Sequence, residues 1–245
     1  MNRRLIGLAL AAVAGLAATG RTAPQNPNID EIIAKNIEAR GGLERIKAVT
    51  TIRQEARLIS MTMPGNETST TMYLKRPNLT RQEISVNGQR IVSGYDGKTP
   101  WIINPLTGSS RPVLISGPQA DAIREQVTFD PILVDYRSRW QLVEYVGRET
   151  EGGRPMHHLK ITAPSRQVSH LYLDAATMLE AKLMTEGDRT TKMEVTWDDY
   201  RDVRGLKFAF LQRRIVNGVV QDEMRFQTIE TNVPISDGVF AVPKG

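Results

Sequence analysis

Cysteine is absent from the 245-residue chain. That removes disulfide frameworks, thiolate metal sites and thiol nucleophiles at once. Histidine is scarce, at three residues. His157 and His158 are adjacent, and adjacent strand residues point to opposite faces, so they cannot easily share a metal. His170 can come across a hairpin near Leu159 and form a single pair. No further ligand is apparent, whereas zinc and iron sites take roughly three protein ligands or more. No metal and no cofactor are expected. Aromatic residues make up 6% of the chain, so any large apolar pocket must be lined mainly by aliphatic side chains and Met. Neither a Gly-x-Ser-x-Gly elbow nor a phosphate-cradling glycine loop occurs. Asp198, Asp199 and Asp202 lie beside Arg201 and Arg204, and the group reads as a solvated, self-compensating turn. No catalytic residue is assigned, and the chain is not expected to be an enzyme.

Long runs of basic residues are missing too. The formal charge is +5, but Arg3 and Arg4 contribute to it from a segment expected to be removed. No basic stripe is interleaved with aromatics, so nucleic acid is not an expected partner. Hydrophobic residues at 40% and charged residues at 24% are ordinary for a folded chain.

Met1–Arg4 is short and positive, Leu5–Ala18 is almost wholly apolar, and Ala18-Thr19-Gly20 supplies small residues. This is the layout of a cleavable secretory signal peptide over residues 1–23. The apolar run is shorter than the ~20 residues a membrane span needs. Residues 24–245 are expected to form one domain, exported to the periplasm. No cysteine follows the small-residue box, so no lipid can be attached there. A membrane-tethered acceptor is disfavoured, leaving a soluble shuttle or binder.

Ile29, Ile32, Ile33 and Ile37 form one apolar stripe and predict a helix capped by Asn28 or Asp30. Gly41-Gly42 stops it, and Leu43–Lys47 adds a further turn. From Val49 the period becomes two. Ile52, Ala56 and Leu58 share a face, as do Met72 with Leu74, Ile84 with Val86, and Trp101 with Ile103. Asn87-Gly88 and Asp96-Gly97 are hairpin turns. Leu106–Ser110 reads as a loop. Gln119–Gln126 reads as a short helical flap, and Asp130–Tyr136 is apolar enough to be pinned to a core. A second β run starts near Leu142, is interrupted by a polar connection over Asp198–Gly205, turns at Asn217-Gly218 and ends in a tail over 233–243. About eleven strands with no βαβ rhythm favour an antiparallel barrel or a strongly curved sheet.

Several stretches, in this order, resemble the outer-membrane lipoprotein-sorting (LolA-like) family. They are Ala39-Arg40-Gly41-Gly42-Leu43-Glu44-Arg45-Ile46-Lys47-Ala48-Val49, Met63-Pro64-Gly65 and Lys75-Arg76-Pro77-Asn78. The central match is Tyr95-Asp96-Gly97-Lys98-Thr99-Pro100-Trp101-Ile102-Ile103-Asn104-Pro105. Asp198 to Phe208 and Asn232-Val233-Pro234 to Phe240 follow. The resemblance spans most of the mature chain. It implies a mainly β fold with few helices, an incomplete antiparallel barrel around an apolar cavity. It also implies a periplasmic carrier, or chaperone, for lipoprotein acyl chains or other lipids. An exposed acyl chain costs about 0.8 kcal/mol per CH₂ in water, so crossing an aqueous space needs a dry container. Nine methionines, among them Met72, Met156, Met184, Met193 and Met224, suit an adaptable lining.

The expected lining residues are Ile52, Leu58, Met72, Leu74, Ile84, Trp101 and Ile103, with Ile123 on the flap. The expected partners are acyl chains or lipid and an inner- or outer-membrane protein, with the chain itself a monomer. An alternative on the same fold is a periplasmic sensor of envelope stress that binds a lipid or peptide. A further one is an enzyme hidden in the barrel, which would need convergent polar groups such as His170 near a carboxylate.

Overall fold

Helix α1 (Ile29–Ala39) begins where the Asn28 side chain accepts the Asp30 N–H at 3.1 Å. Asp30 and Glu31 then place negative charge in its first turn, where the helix dipole favours it. The computed structural model describes residues 28–63, 65, 67–138, 142–186 and 191–243. The export signal expected over 1–23 lies outside the described residues. At the end of α1, Gly41 has φ +116°, and a Cβ there would sit 2.1 Å from the Gly205 carbonyl oxygen. Only glycine fits this position, because backbone approaches backbone. Helix α2 (Leu43–Ala48) follows directly.

The first β run comprises β1 (Thr51–Ser60), β2 (Glu67–Lys75), β3 (Leu79–Val86), β4 (Gln89–Tyr95), β5 (Pro100–Asn104) and β6 (Ser109–Leu114). Helix α3 (Gly117–Gln126) comes next. The second run comprises β7 (Leu142–Glu151), β8 (Arg154–Thr162), β9 (Val168–Asp174), β10 (Glu180–Glu186), β11 (Lys192–Val203), β12 (Leu206–Val216) and β13 (Val219–Thr231).

Among the described residues these thirteen strands form one sheet, in the order β6-β5-β4-β3-β2-β1-β13-β12-β11-β10-β9-β8-β7. Every pairing is antiparallel, and every neighbouring pair except β1–β13 is consecutive in the chain. The sheet is open: β6 and β7 are its edges. A mainly β, incomplete barrel was expected, and this is the fold observed.

Two strands depart from expectation, and the first of them adds to the count. Ser109–Leu114 is a strand, although its serines and Pro112 gave no strand signal. It pairs only with β5, and a sheet edge tolerates proline. The acidic stretch from Asp198 is not a connection either. Strand β11 runs through it to Val203, absorbing an irregularity at Asp199, whose φ is +53°.

The helices lie on one face of the sheet, called inner here. Ile32 and Ile33 of α1 pack against Val143, Leu159, Ile161, Leu171 and Leu173 of the second run. Burying each isoleucine contributes about 1.5–3 kcal/mol. Ile46 and Val49 pack with Ile52, Phe210 and Ile229 nearer the middle of the sheet, together with Phe129 and Val134 from the strap that follows α3. Asp130–Tyr136 is therefore pinned to the core, as its apolar character predicts.

Candidate functional site

The register decides which side chains face inward. Ile52 opposes Leu74, Leu74 opposes Thr80, Thr80 opposes Tyr95 and Tyr95 opposes Pro100. Directly opposed residues share a face. Gln54, Met72, Gln82, Ser93 and Ile102 form the next row on this face. Leu58 and Ile84 belong to it as well, farther along their strands.

Two adjoining cavities open on the inner face and share Gln54 and Leu74. The smaller, about 200 Å³, is walled by Ile46, Val49, Ile52, Phe129, Leu206 and Phe208, with Arg40 and Lys207 among its polar residues. The larger, about 350 Å³, takes in Met72, Thr80, Gln82, Tyr95, Ile115, Ile123 and Val127. The larger lies at the lower end of the ~300–1,000 Å³ span of small-molecule sites. A third, polar chamber of about 560 Å³ is lined by Lys47, Arg76, Asn78, Arg124, Glu125 and Asp135. It shares Phe129 and Asp130 with the smaller cavity and Val127 with the larger. The strap residues 127–130 thus partition apolar space from polar space.

A cationic latch holds that partition. Arg76 donates to the Asp130 carboxylate at 2.8 and 2.6 Å, and to the backbone carbonyls of Val49 at 2.6 Å and Ile46 at 2.9 Å. Its guanidinium lies 4.5 Å from the centroid of the Phe129 ring. Lys47 donates to Asp130 at 2.7 Å and also pairs with Asp135. Burial alone would raise the Asp130 carboxyl, but the hydrogen bonds and charges of Arg76 and Lys47 outweigh it and hold the group below its ordinary range.

Arg40, at the smaller cavity, is committed as well. It grips Glu180 through Nε at 3.0 and 2.8 Å and through Nη2 at 2.7 Å, and donates to the Lys207 carbonyl at 3.3 Å. Glu180 is 2% exposed. The Tyr200 hydroxyl donates to the Glu180 carbonyl at 2.9 Å, and its pKa is pushed well up, by burial first and by the Glu180 charge second.

Of the residues expected to line a cavity, Ile52, Met72, Leu74 and Ile123 come together. Leu58 and Ile84 share the inner face but lie beyond the walls of both cavities. Trp101 borders the larger cavity as well, although its ring faces away from it, and Ile103 does not join them. Trp101 opposes Gly94, and Gly94 opposes Arg81, which puts the indole on the outer face. There Trp101 is 0% exposed, and its Nε1–H donates to the Phe240 carbonyl at 3.1 Å. Arg81 stands 5.6 Å from the ring centroid and donates to the Val239 carbonyl at 3.0 Å. A Cβ at Gly94 would lie 2.5 Å from the indole, so glycine makes the seat. The tail after Thr231 covers this face, and Trp101 anchors it. The long-range pairing with the tail carried no local signal. Gln54, Phe129 and the Arg76–Asp130 latch were missed for the same reason.

His157 and His158 do face opposite ways. His158 lies on the outer face, with Nε2 2.7 Å from His170 Nδ1 and Nδ1 2.6 Å from Glu149. The expected histidine pair exists, remote from the cavities. Among the described residues no group of three or more His, Asp or Glu is placed to hold a metal ion. Likewise, no helix among them is long and apolar enough to cross a membrane.

Solved structures share this architecture. A LolA superfamily protein, NE2245 from Nitrosomonas europaea, superposes with TM-score 0.60 at 11% identity, covering 86% of this chain and 96% of its own. The fold is LolA-like. A DUF1329 family protein from Desulfovibrio piger gives TM-score 0.60 at 13% identity, covering 87% and 97%. A domain from Vibrio parahaemolyticus assigned to the outer membrane lipoprotein-sorting proteins gives 0.59 at 11%, covering 86% and 94%. No family model matches the sequence. No curated protein matches it either.

Proposed function

We propose that this LolA-like chain is a periplasmic, non-enzymatic carrier of lipoprotein acyl chains or other lipids, made with a cleaved signal peptide over residues 1–23. The mature chain, 24–245, acts as one domain and as a monomer, and exchanges its cargo with a membrane-protein partner. The reading rests on one arrangement: two adjoining apolar cavities on the inner face, with a polar chamber across the strap. Such a site suits an amphiphile, whose chains need dry walls and whose headgroup needs water and charge. The paired state of Arg76, Lys47 and Asp130 lets the chamber exist without an uncompensated buried charge.

Native mass spectrometry of protein purified from the periplasm tests the reading. The expected result is a copurified acylated species that is lost in Leu74→Lys, which puts a charge in both cavity walls, with circular dichroism checking that the variant folds. Protein that carries no lipid and takes none from vesicles would overturn it. A membrane protein copurifying without lipid would favour the envelope-stress sensor instead.

A further inference from the structure

Strands β1, β13, β12 and β11 are neighbours in the sheet, and their ends at Ser60, Val219, Val216 and Lys192 form one rim. The rim is apolar. Met61 and Met63 follow β1, Val219 opens β13 and Met193 is the second residue of β11; all four are between 42% and 60% exposed. Local hydrogen bonds hold them in place. The Met61 N–H donates to the Gln221 carbonyl at 2.8 Å, and the Met63 N–H to the Ser60 hydroxyl at 3.2 Å. In the β12–β13 turn, the Asn217 N–H donates to the Lys192 carbonyl at 2.9 Å and its Oδ1 accepts the Lys192 N–H at 2.8 Å. Met193 opposes Val216, and Val216 opposes Val219, so the three share a face. The turns at Asn87-Gly88 and Gly152-Gly153, by contrast, carry no large exposed apolar side chain. Exposed apolar side chains gathered in one place mark a contact surface. The charges around the rim are layered. Lys192 pairs with Glu194 at 3.0 Å and is 53% exposed against 15%. Arg214 pairs with Asp222, at 46% against 19%, and Arg57 with Glu67, at 56% against 44%. In each pair the cation is the more exposed member, so an approaching surface meets positive charge first.

We propose that this rim docks on an anionic lipid surface, with Met61, Met63, Met193 and Val219 entering the headgroup layer and Lys192, Arg214 and Arg57 meeting lipid phosphates. The partner is the lipid surface itself, not a membrane protein, and the contact is separate from the cavities. The order of the side chains along the strands favours a bilayer over an acidic protein. Arg214 lies two residues before Val216 and Arg57 four before Met61, about 7 and 13 Å back from the tips at ~3.3 Å per strand residue. Apolar groups seated ~5–10 Å into a bilayer interface leave such long basic side chains at the level of the phosphates. Lys192, at the rim itself, lays its stem along apolar groups and turns its ammonium back to the same level. Methionine adds an unbranched side chain that adapts to a fluid surface.

Cosedimentation of the full mature protein with phosphatidylcholine vesicles, with and without phosphatidylglycerol, tests the proposal. Binding should be about tenfold tighter when phosphatidylglycerol is present and should weaken as salt is added. Met61→Ser combined with Met63→Ser should weaken it about tenfold, and Lys192→Gln about fivefold, with circular dichroism checking that each variant folds. Val146→Ser, at a half-exposed position on edge strand β7 and off the rim, should change nothing. No preference for phosphatidylglycerol would overturn the proposal, as would unchanged binding by the folded methionine variant or an equal loss in Val146→Ser. Binding of an acidic protein at the rim with no binding of vesicles would overturn the lipid assignment. A lipid drawn into the cavities leaves the protein in the supernatant, so pelleting reads docking alone and its failure is distinct from failure of the carrier reading. The wild-type comparison of the two vesicles decides the matter even where a variant does not fold.

Discussion

Replacing Asp130 by Asn keeps the shape of the strap and removes the charge that Arg76 and Lys47 hold. Three hydrogen bonds reach this carboxylate, two from Arg76 and one from Lys47. Hydrogen bonds to charged groups contribute about 1.5–3 kcal/mol each when dry. Asn retains one acceptor, and the side chains of Asp130 and Arg76 are 15% and 25% exposed, so solvent screens part of the loss. About 2 kcal/mol should be lost from the closed strap, which is about a 25-fold rise in its opening constant. Hydrogen exchange reads this directly at Val134, whose N–H donates to the Pro131 carbonyl at 2.9 Å. Its exchange should speed up by about that factor, while Leu159 and Leu171 in β8 and β9 stay protected. Acid provides a second reading. Because the carboxyl is depressed in the folded protein, its contribution is complete above the ordinary carboxyl range and fades as pH falls through the depressed value. Wild-type strap opening should therefore rise only in acid, and Asp130→Asn should show no such rise. Unchanged exchange at Val134, or equal acceleration throughout the sheet, would refute the latch.

Gly41→Ala should destabilise the protein by about 2 kcal/mol or more in urea titration, through the left-handed φ and the contact with Gly205. Gly65→Ala, with a similar φ sign but open space around it, should cost less. Trp101→Ala should cost about 3–5 kcal/mol by the same assay, from the cavity it leaves under the tail. His157 is buried, and burial first, then Arg148 and Lys35, lowers its pKa. The unfolded chain therefore binds the extra proton sooner, and stability should fall as pH drops below the ordinary histidine range near ~6.5. His157→Gln should flatten that slope in a pH series of urea midpoints.

Much of the fold was legible because it is local. The isoleucine stripe of α1, the Gly41-Gly42 stop and the Asn87-Gly88 and Asn217-Gly218 turns all appear where their chemistry puts them. Strand β6 was hidden by Ser109, Ser110 and Pro112, whose strand state depends on pairing with β5. The site was only half legible. Alternation groups Ile52 with Leu58 and Met72 with Leu74, but which face is inner depends on where α2 and the strap dock. Trp101 borders the larger cavity, but its indole is seated on the outer face, because Gly94 and the tail make room for it there. Gln54 carries no motif. Its place in both cavity walls depends on the pairing of β1 with β13, which joins residues far apart in sequence.

The pairing of β1 with β13 has a consequence for how the chain assembles. Every other strand contact can form as a hairpin grows, so only this seam must wait for a search across the whole sequence. Loop-closure entropy increases only slowly with loop length, yet it must be met before the seam repays it. Two meanders should therefore mature independently and zip together late. The covalent link between them runs through α3 and the strap, and the strap packs over the seam through Phe129 and Val134, against Ile52 and Ile229. A nick there would leave two fragments with intact hairpins, able to reassociate along β1 and β13. The wall that joins the two halves of the site is also the joint at which the protein can be divided and rebuilt.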